Sequence, residues 1–129
     1  MNLKISDIAN YLSYTFSGFD LPINKVSIDS REVTEGDLFI AIPGHKHDGH
    51  RFISDAIDNG AKSVIYNKSH IINDNRVPTI SVDNTIIALG IIARNYKNKI
   101  GSPNCCNFIF IDNMRFIINY TFCAVIYCI

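Results

Sequence analysis

Two short stretches of this chain carry residue types that can do chemistry. The first is Asp29-Ser30-Arg31. An arginine fork makes paired hydrogen bonds to phosphate oxygens, and a serine hydroxyl beside backbone groups can read the edge of a base. The same triplet also reads as a plain turn, with Asp29 as its cap and Arg31 paired to Asp29, Glu32 or Asp37. Both readings stay open at the level of these residues. The second stretch is Gly44-His45-Lys46-His47-Asp48-Gly49-His50, whose histidines and carboxylate are zinc-type donors. Alternating loop residues need not converge, however, and no second cluster completes a ligand set, so no metal is expected. Its glycines permit close approach of backbone to a ligand, and His50 is expected to start a helix rather than to catalyse. His70, between Ser69 and Ile71 in a polar loop, is expected simply to be exposed. Cys105, Cys106, Cys123 and Cys128 form no C-x-x-C pair, so thiol chemistry is not expected.

The elements that must position these loops follow from periodicity. Ile5, Ile8, Ala9 and Leu12 fall at helical spacing, with Ser6 as the expected N-cap of a helix over 6–13. Gly18 and Pro22 punctuate a turn region in which Thr15 to Phe19 could form a short strand. Lys25 to Ile28 alternates as a strand and delivers the chain to Asp29. Leu38-Phe39-Ile40-Ala41-Ile42 is an apolar run between turn residues, which suits a strand buried on both faces and ending at Pro43-Gly44. From Arg51, the residues Phe52, Ile53, Ala56 and Ile57 make one apolar helical face, closed by Asn59-Gly60. Ser63 to Tyr66 and Thr79 to Val82 are further strands. Thr85 to Tyr96 is the longest helix, with Ile86, Leu89, Gly90 and Ala93 expected on its inner side. Strands alternating with helices imply an α/β domain with a largely parallel sheet.

Composition sets the limits. The 129 residues suit one domain, and a 47% hydrophobic, 19% charged chain is expected to fold. Twelve basic residues balance twelve acidic ones, so no general field draws in nucleic acid or an anionic membrane. The start has no signal-peptide pattern, and a cytoplasmic location is expected. The end is different. After Ser102 only Asp112 and Arg115 are charged, no glycine follows Gly101, and 116–129 is nearly all apolar or aromatic. Two readings compete for 101–129: a hydrophobic hairpin packed on the domain, or, the favoured one, a tail left by a lost reading frame.

Four motifs in order identify a family. They are Val26-Ser27-Ile28-Asp29-Ser30-Arg31, then Gly36-Asp37-Leu38-Phe39-Ile40-Ala41-Ile42-Pro43-Gly44, then Asp48-Gly49-His50-Arg51-Phe52-Ile53, then Asn59-Gly60-Ala61. Their order and spacing over 1–100 resembles the N-terminal domain of the ATP-dependent Mur ligases, which extend the muramyl peptide of peptidoglycan. The opening LKISDIANYL and Val77-Pro78-Thr79-Ile80-Ser81-Val82-Asp83 look closest to the branch that adds D-alanyl-D-alanine. The branch that adds the third residue is the alternative.

The resemblance implies a three-layer α/β domain with a mostly parallel sheet of about five strands. It implies a partner, the uridine-diphosphate end of a UDP-N-acetylmuramoyl peptide. Asp29, Ser30, Arg31, Gly44, His45, Lys46, Asp48, Gly49 and His50 would lie at that substrate, and none of them would be catalytic. A monomer is expected. The full-length family uses ATP and magnesium through a T-G-[ST]-x-G-K-T phosphate loop, which should follow soon after residue 100. No Gly-Lys pair occurs in this sequence. Glycine amides and a lysine are what wrap and reach the phosphates, so no cofactor and no ligation by this chain alone are expected. The rival from another class is a small α/β interaction module that uses its apolar tail for docking.

Overall fold

The computed structural model describes residues 3–15, 20–44 and 46–100, and among them a four-stranded parallel sheet forms the middle layer. The first strand, β1 (Leu3–Lys4), pairs antiparallel with β2 (Pro22–Ile23) in a separate small ladder. Between them runs α1 (Ile5–Tyr11). The main sheet is β3 (Val26–Ser27), β4 (Leu38–Ile40), β5 (Ser63–Asn67) and β6 (Thr79–Val82), lying side by side in that order. Helix α2 (Ile53–Asp58) joins β4 to β5, and α3 (Thr85–Ile100) follows β6. The expected α/β class and parallel sheet are therefore present. The main sheet has four strands among the described residues, one fewer than expected, because the opening residues pair off separately.

Side-chain alternation along β4 explains the three layers. Leu38 and Ile40 point to one face, where they meet Ile5, Ile8 and Ala9 of α1 and Leu89 and Ile92 of α3. Phe39 and Ala41 point to the other, against Ile53, Ala56 and Ile57 of α2. The three strand residues and Ala41 just after them have no exposed surface. Since strand residues alternate between faces, only a strand with helices on both sides can bury such a run. Burying a side chain the size of Phe39 contributes about 1.5–3 kcal/mol.

Several boundaries differ from the sequence reading for local reasons. Helix α1 is capped at Lys4, two residues earlier than Ser6. The Lys4 amide donates to the Asp7 carboxylate at 2.9 Å, and the Ser6 amide is met by Asp20 at 3.1 Å. The inner face of α3 is Thr85, Ala88, Leu89, Ile92 and Ala93, while Ile86 and Gly90 are only half-buried. Helix α2 stops where expected, with Gly60 at φ +114° just beyond Asn59. The proposed strand over Thr15 to Phe19 falls largely outside the described residues, as do His45, all four cysteines and the tail 101–129. No helix among the described residues is long and apolar enough to cross a membrane.

Candidate substrate-binding site

The carboxyl ends of β3 and β4 open into a cleft of about 750 Å³. One wall is the chain leaving β3 at Asp29, Ser30 and Arg31, and another is the chain leaving β4 at Ile42 to Gly44. Helix α2 closes the third side with Phe52, Asp55 and Asn59, and Phe39 lies at the bottom. In open α/β sheets ligands collect in such a crevice beyond the strand ends.

The β3 wall is a 3-10 turn, Ser30–Glu32, opened by Asp29. The Asp29 carboxylate accepts from the Arg31 amide at 2.9 Å and from both Nε and Nη2 of the Arg31 fork, at 2.9 and 2.6 Å. This turn is tied to α2 by Asn59, whose Nδ2 donates to the Ser30 carbonyl at 2.8 Å. The hydrogen bonds and charge of Asp29 hold Arg31 firmly protonated, above the ordinary arginine value. Arg31 is 86% exposed and keeps further N–H donors facing outward. The two readings of this triplet therefore coexist: the turn pair is made, and the fork still borders the cleft.

The β4 wall depends on absent side chains. A Cβ on Gly44 would sit 2.5 Å from the His47 carbonyl oxygen, and one on Gly49 would sit 2.7 Å from the Ile42 amide nitrogen. Only glycine lets this loop fold so tightly back on β4.

Of the expected site residues, Asp29, Ser30, Arg31, Gly44 and Gly49 line the cleft. Asp48 and His50 do not. Lys46 is exposed and also lies off the lining, and His45 is outside the described residues. His47, Asp55, Asp58 and Asn59 line the cleft without having been foreseen as site residues. The last three sit on or just after the exposed side of α2, whose apolar face was the only part periodicity could flag.

Asp48 and His50 instead stand behind the loop. Asp48 opens the 3-10 turn Gly49–Phe52, and its Oδ1 accepts from the His50 amide at 3.0 Å and lies 2.7 Å from His50 Nδ1. His50 Nε2 accepts from the Asn67 amide at 2.9 Å, which places the ring proton on Nδ1, facing Asp48. His50 thus starts the helical segment, as expected. Burial pushes the Asp48 carboxyl up, but hydrogen bonds from the His50 ring and amide bring it net below the ordinary range.

His70 departs from the sequence reading. Rather than standing alone in solvent, it stacks on His50 at 3.8 Å between ring centres, and its Nε2 lies 3.3 Å from Asp48 Oδ2. One donor atom each of Asp48, His50 and His70 falls within 4.8 Å of the others. The cluster still makes a poor metal centre. A metal on His50 Nδ1 would move the ring proton to Nε2, against the Asn67 amide. That leaves one carboxylate and one imidazole, short of a zinc ligand set.

The link from β6 to α3 does not fit the phosphates of ATP: it is Asp83-Asn84 and contains no glycine. The amides at the start of α3 are taken, by Asn67 at 2.8 Å for Thr85 and by Asn84 at 2.9 Å for Ile86.

A parallel α/β sheet with a cleft past its strand ends is the arrangement in which open α/β domains hold their ligands. Residues 22–97, more than half of the chain, match the family model described as "Mur ligase family, catalytic domain". The chain belongs to the Mur ligase family. It is 40% identical over 99 residues to a UDP-N-acetylmuramoyl-tripeptide–D-alanyl-D-alanine ligase of Buchnera aphidicola, covering 77% of this chain and 21% of that one. It is 33% identical over 99 residues to a UDP-N-acetylmuramoyl-L-alanyl-D-glutamate–2,6-diaminopimelate ligase of Clostridium tetani, covering 73% and 20%. The chain thus spans about a fifth of the length of these relatives. Among solved structures, MurF from Acinetobacter baumannii shares the fold with a TM-score of 0.64 at 20% identity, over 78% of this chain and 22% of that one. MurF ligase from Thermotoga maritima, in complex with ADP, aligns with a TM-score of 0.52 at 33% identity, over 58% and 17%.

Proposed function

We propose that this chain is the N-terminal, substrate-holding domain of a cytoplasmic peptidoglycan-precursor ligase, and that its cleft takes the uridine-diphosphate end of a UDP-N-acetylmuramoyl peptide. The observation that carries this is the cleft itself, where Asp29-Ser30-Arg31 and Gly44 meet past the ends of adjacent parallel strands. Apolar Ile28, Ile42 and Phe52 suit the flat face of a base, and the Arg31 fork suits a phosphate at the rim. Asp29 and Asp58 also border the cleft. Each is already held by an arginine, Arg31 and Arg76, so they oppose a diphosphate less than bare carboxylates would.

The family model carries the word catalytic, yet the matched residues contain no Gly-Lys pair, and we assign them to holding substrate rather than ATP. Ligation by this chain alone is not expected. Over the same length of 99 residues, 40% identity to the Buchnera aphidicola relative against 33% to the Clostridium tetani one supports the D-alanyl-D-alanine-adding branch. The Clostridium tetani relative keeps the third-residue branch as the second reading.

The test is an NMR titration of the chain with UDP, with ADP as control. UDP alone is expected to shift amides near Asp29–Arg31 and Gly44–Gly49. Arg31→Ala is expected to weaken UDP binding roughly tenfold, the order of one charge-assisted hydrogen bond. Equal responses to both nucleotides, or none at these loops, would overturn the reading.

A further inference from the structure

The connection between β5 and β6 runs over 68–78 and lies outside the cleft lining; Arg76 ties it to Asp58 and Ser54 of α2, and His70 ties it to the back of the β4 wall. His70 lays its ring on the His50 ring with an interplanar angle of 8° and reaches Asp48 Oδ2 with Nε2. Both contacts fall on the turn that presents Gly49 to the cleft. The turn is otherwise held by the Asp48 bonds to the His50 amide and ring, by the Asn67 amide on His50 Nε2, by the Gly49 amide to the Ile42 carbonyl at 2.9 Å and by the Arg51 amide to the Asp48 carbonyl at 3.0 Å.

We propose that His70 is a positioning residue for the cleft: it latches the β5–β6 connection onto the Asp48–His50 turn and so fixes the Gly49 backbone where a ligand would meet it. The proposal rests on the reading of the cleft as a UDP site only for its effect on binding. The latch itself is a statement about the ligand-free protein.

Three features make it a latch rather than a chance neighbour. Asp48 has two oxygens, and the two histidines divide them, Oδ1 to His50 and Oδ2 to His70. The His50 ring is fixed in plane by Asp48 at one nitrogen and the Asn67 amide at the other, so it offers His70 a rigid face. Ser69 Oγ lies 3.3 Å from His70 Nδ1, which orients the His70 ring from its own loop. With Nε2–H directed to Asp48, Nδ1 is left to accept from that hydroxyl. Every polar atom of the two rings then has a partner.

The test uses the full chain and compares it with His70→Ala, His70→Phe and His70→Gln. Amide hydrogen exchange is read by NMR without ligand, at Gly49, His50 and Arg51, with Val64 and Ile65 as reporters of the whole fold. In His70→Ala the turn amides are expected to exchange about tenfold faster while Val64 and Ile65 are unchanged, the pattern of a local opening. His70→Phe, which keeps a stacking ring, and His70→Gln, which keeps a donor for Asp48, are each expected to restore part of the protection. UDP affinity should fall about three- to tenfold in His70→Ala by the same loosening. Unchanged exchange at the turn overturns the latch, whatever UDP does. Faster exchange at the turn in a protein that does not bind UDP upholds the latch and rejects the cleft reading instead. Faster exchange with unaltered UDP affinity rejects the link between latch and cleft. Should His70→Ala speed exchange everywhere, partial rescue by His70→Phe or His70→Gln at the turn alone still decides for the latch, and its absence against it.

Discussion

Asp29-Ser30-Arg31 and Asp48-Gly49-His50 are the same local device used in two environments. In each, an aspartate opens a 3-10 turn, accepts from the amide two residues on, and binds that residue's cationic or ring side chain as well. Asp74-Asn75-Arg76 repeats the hydrogen-bond pattern in the β5–β6 connection, where Arg76 also reaches Asp58 and Ser54 of α2. What separates the first two is burial. The Arg31 side chain is 86% exposed, whereas that of His50 is 2% exposed. A pair in water is screened and contributes little to stability, which leaves its donors for a ligand. A pair in the interior cannot be broken without stranding its partners, so it becomes architecture.

The largest effect should therefore come from the buried member. His50→Ala removes a packed ring, leaves the Asn67 amide without its partner, and leaves Asp48 Oδ1 only the backbone amide of residue 50. A loss on the order of 2–4 kcal/mol in denaturant unfolding is expected. A loss no greater than that of Arg31→Ala would break the comparison.

A smaller effect should appear in the pH dependence. The Asp48 carboxyl is held below its ordinary value in the folded chain. The unfolded state therefore binds a proton first as pH falls, and the stabilising contribution is fully present above the ordinary carboxylate value. It is lost as pH drops through the lowered folded value. Wild type should exceed Asp48→Asn in stability near neutrality, and the two unfolding curves should converge in acid. A gap that persists unchanged well below the ordinary range of about 4 would show that the Asp48 charge is not its source. The smallest effect is expected for Arg31→Ala on unfolding, with the midpoint unchanged within error. A clear destabilisation there would mean that the β3 turn, too, is architecture.

The sequence exposed those parts of the fold that depend on near neighbours. Strand β6 was read at Thr79 to Val82, where it lies, because Pro78 starts it and Asp83 ends it. The two-faced burial of β4 was visible in its unbroken apolar run. The start of α1 falls at Ile5 rather than Ser6 because Asp7 accepts from the Lys4 amide while Asp20, fourteen residues from Ser6, takes the Ser6 amide. The α3 face was set slightly off because Thr85, bound through its amide to Asn67, is buried in place of Ile86. At the cleft, the glycines and the Asp29 triplet could be picked out by type. His70 could not. Its partner Asp48 is 22 residues away, and nothing in Lys68-Ser69-His70 encodes the meeting. The cleft-facing carboxylates of α2 were hidden for a related reason: an exposed helical face carries no periodic signal of what lies opposite.

The order of the main sheet bears on how the domain is made. Each parallel strand from β3 to β6 lies beside the one that precedes it in the chain, with no strand inserted later between two earlier ones. A polypeptide leaving the ribosome can therefore lay down this layer progressively, every new strand finding its template already out of the tunnel. The cleft walls contributed by 28–31, 42–44, 47–49 and 52–59 all precede residue 70 in the chain, so they emerge before the His70 clasp. On the nascent chain the binding surface would take shape first and be locked second, so ligand present during synthesis meets a wall that can still adjust.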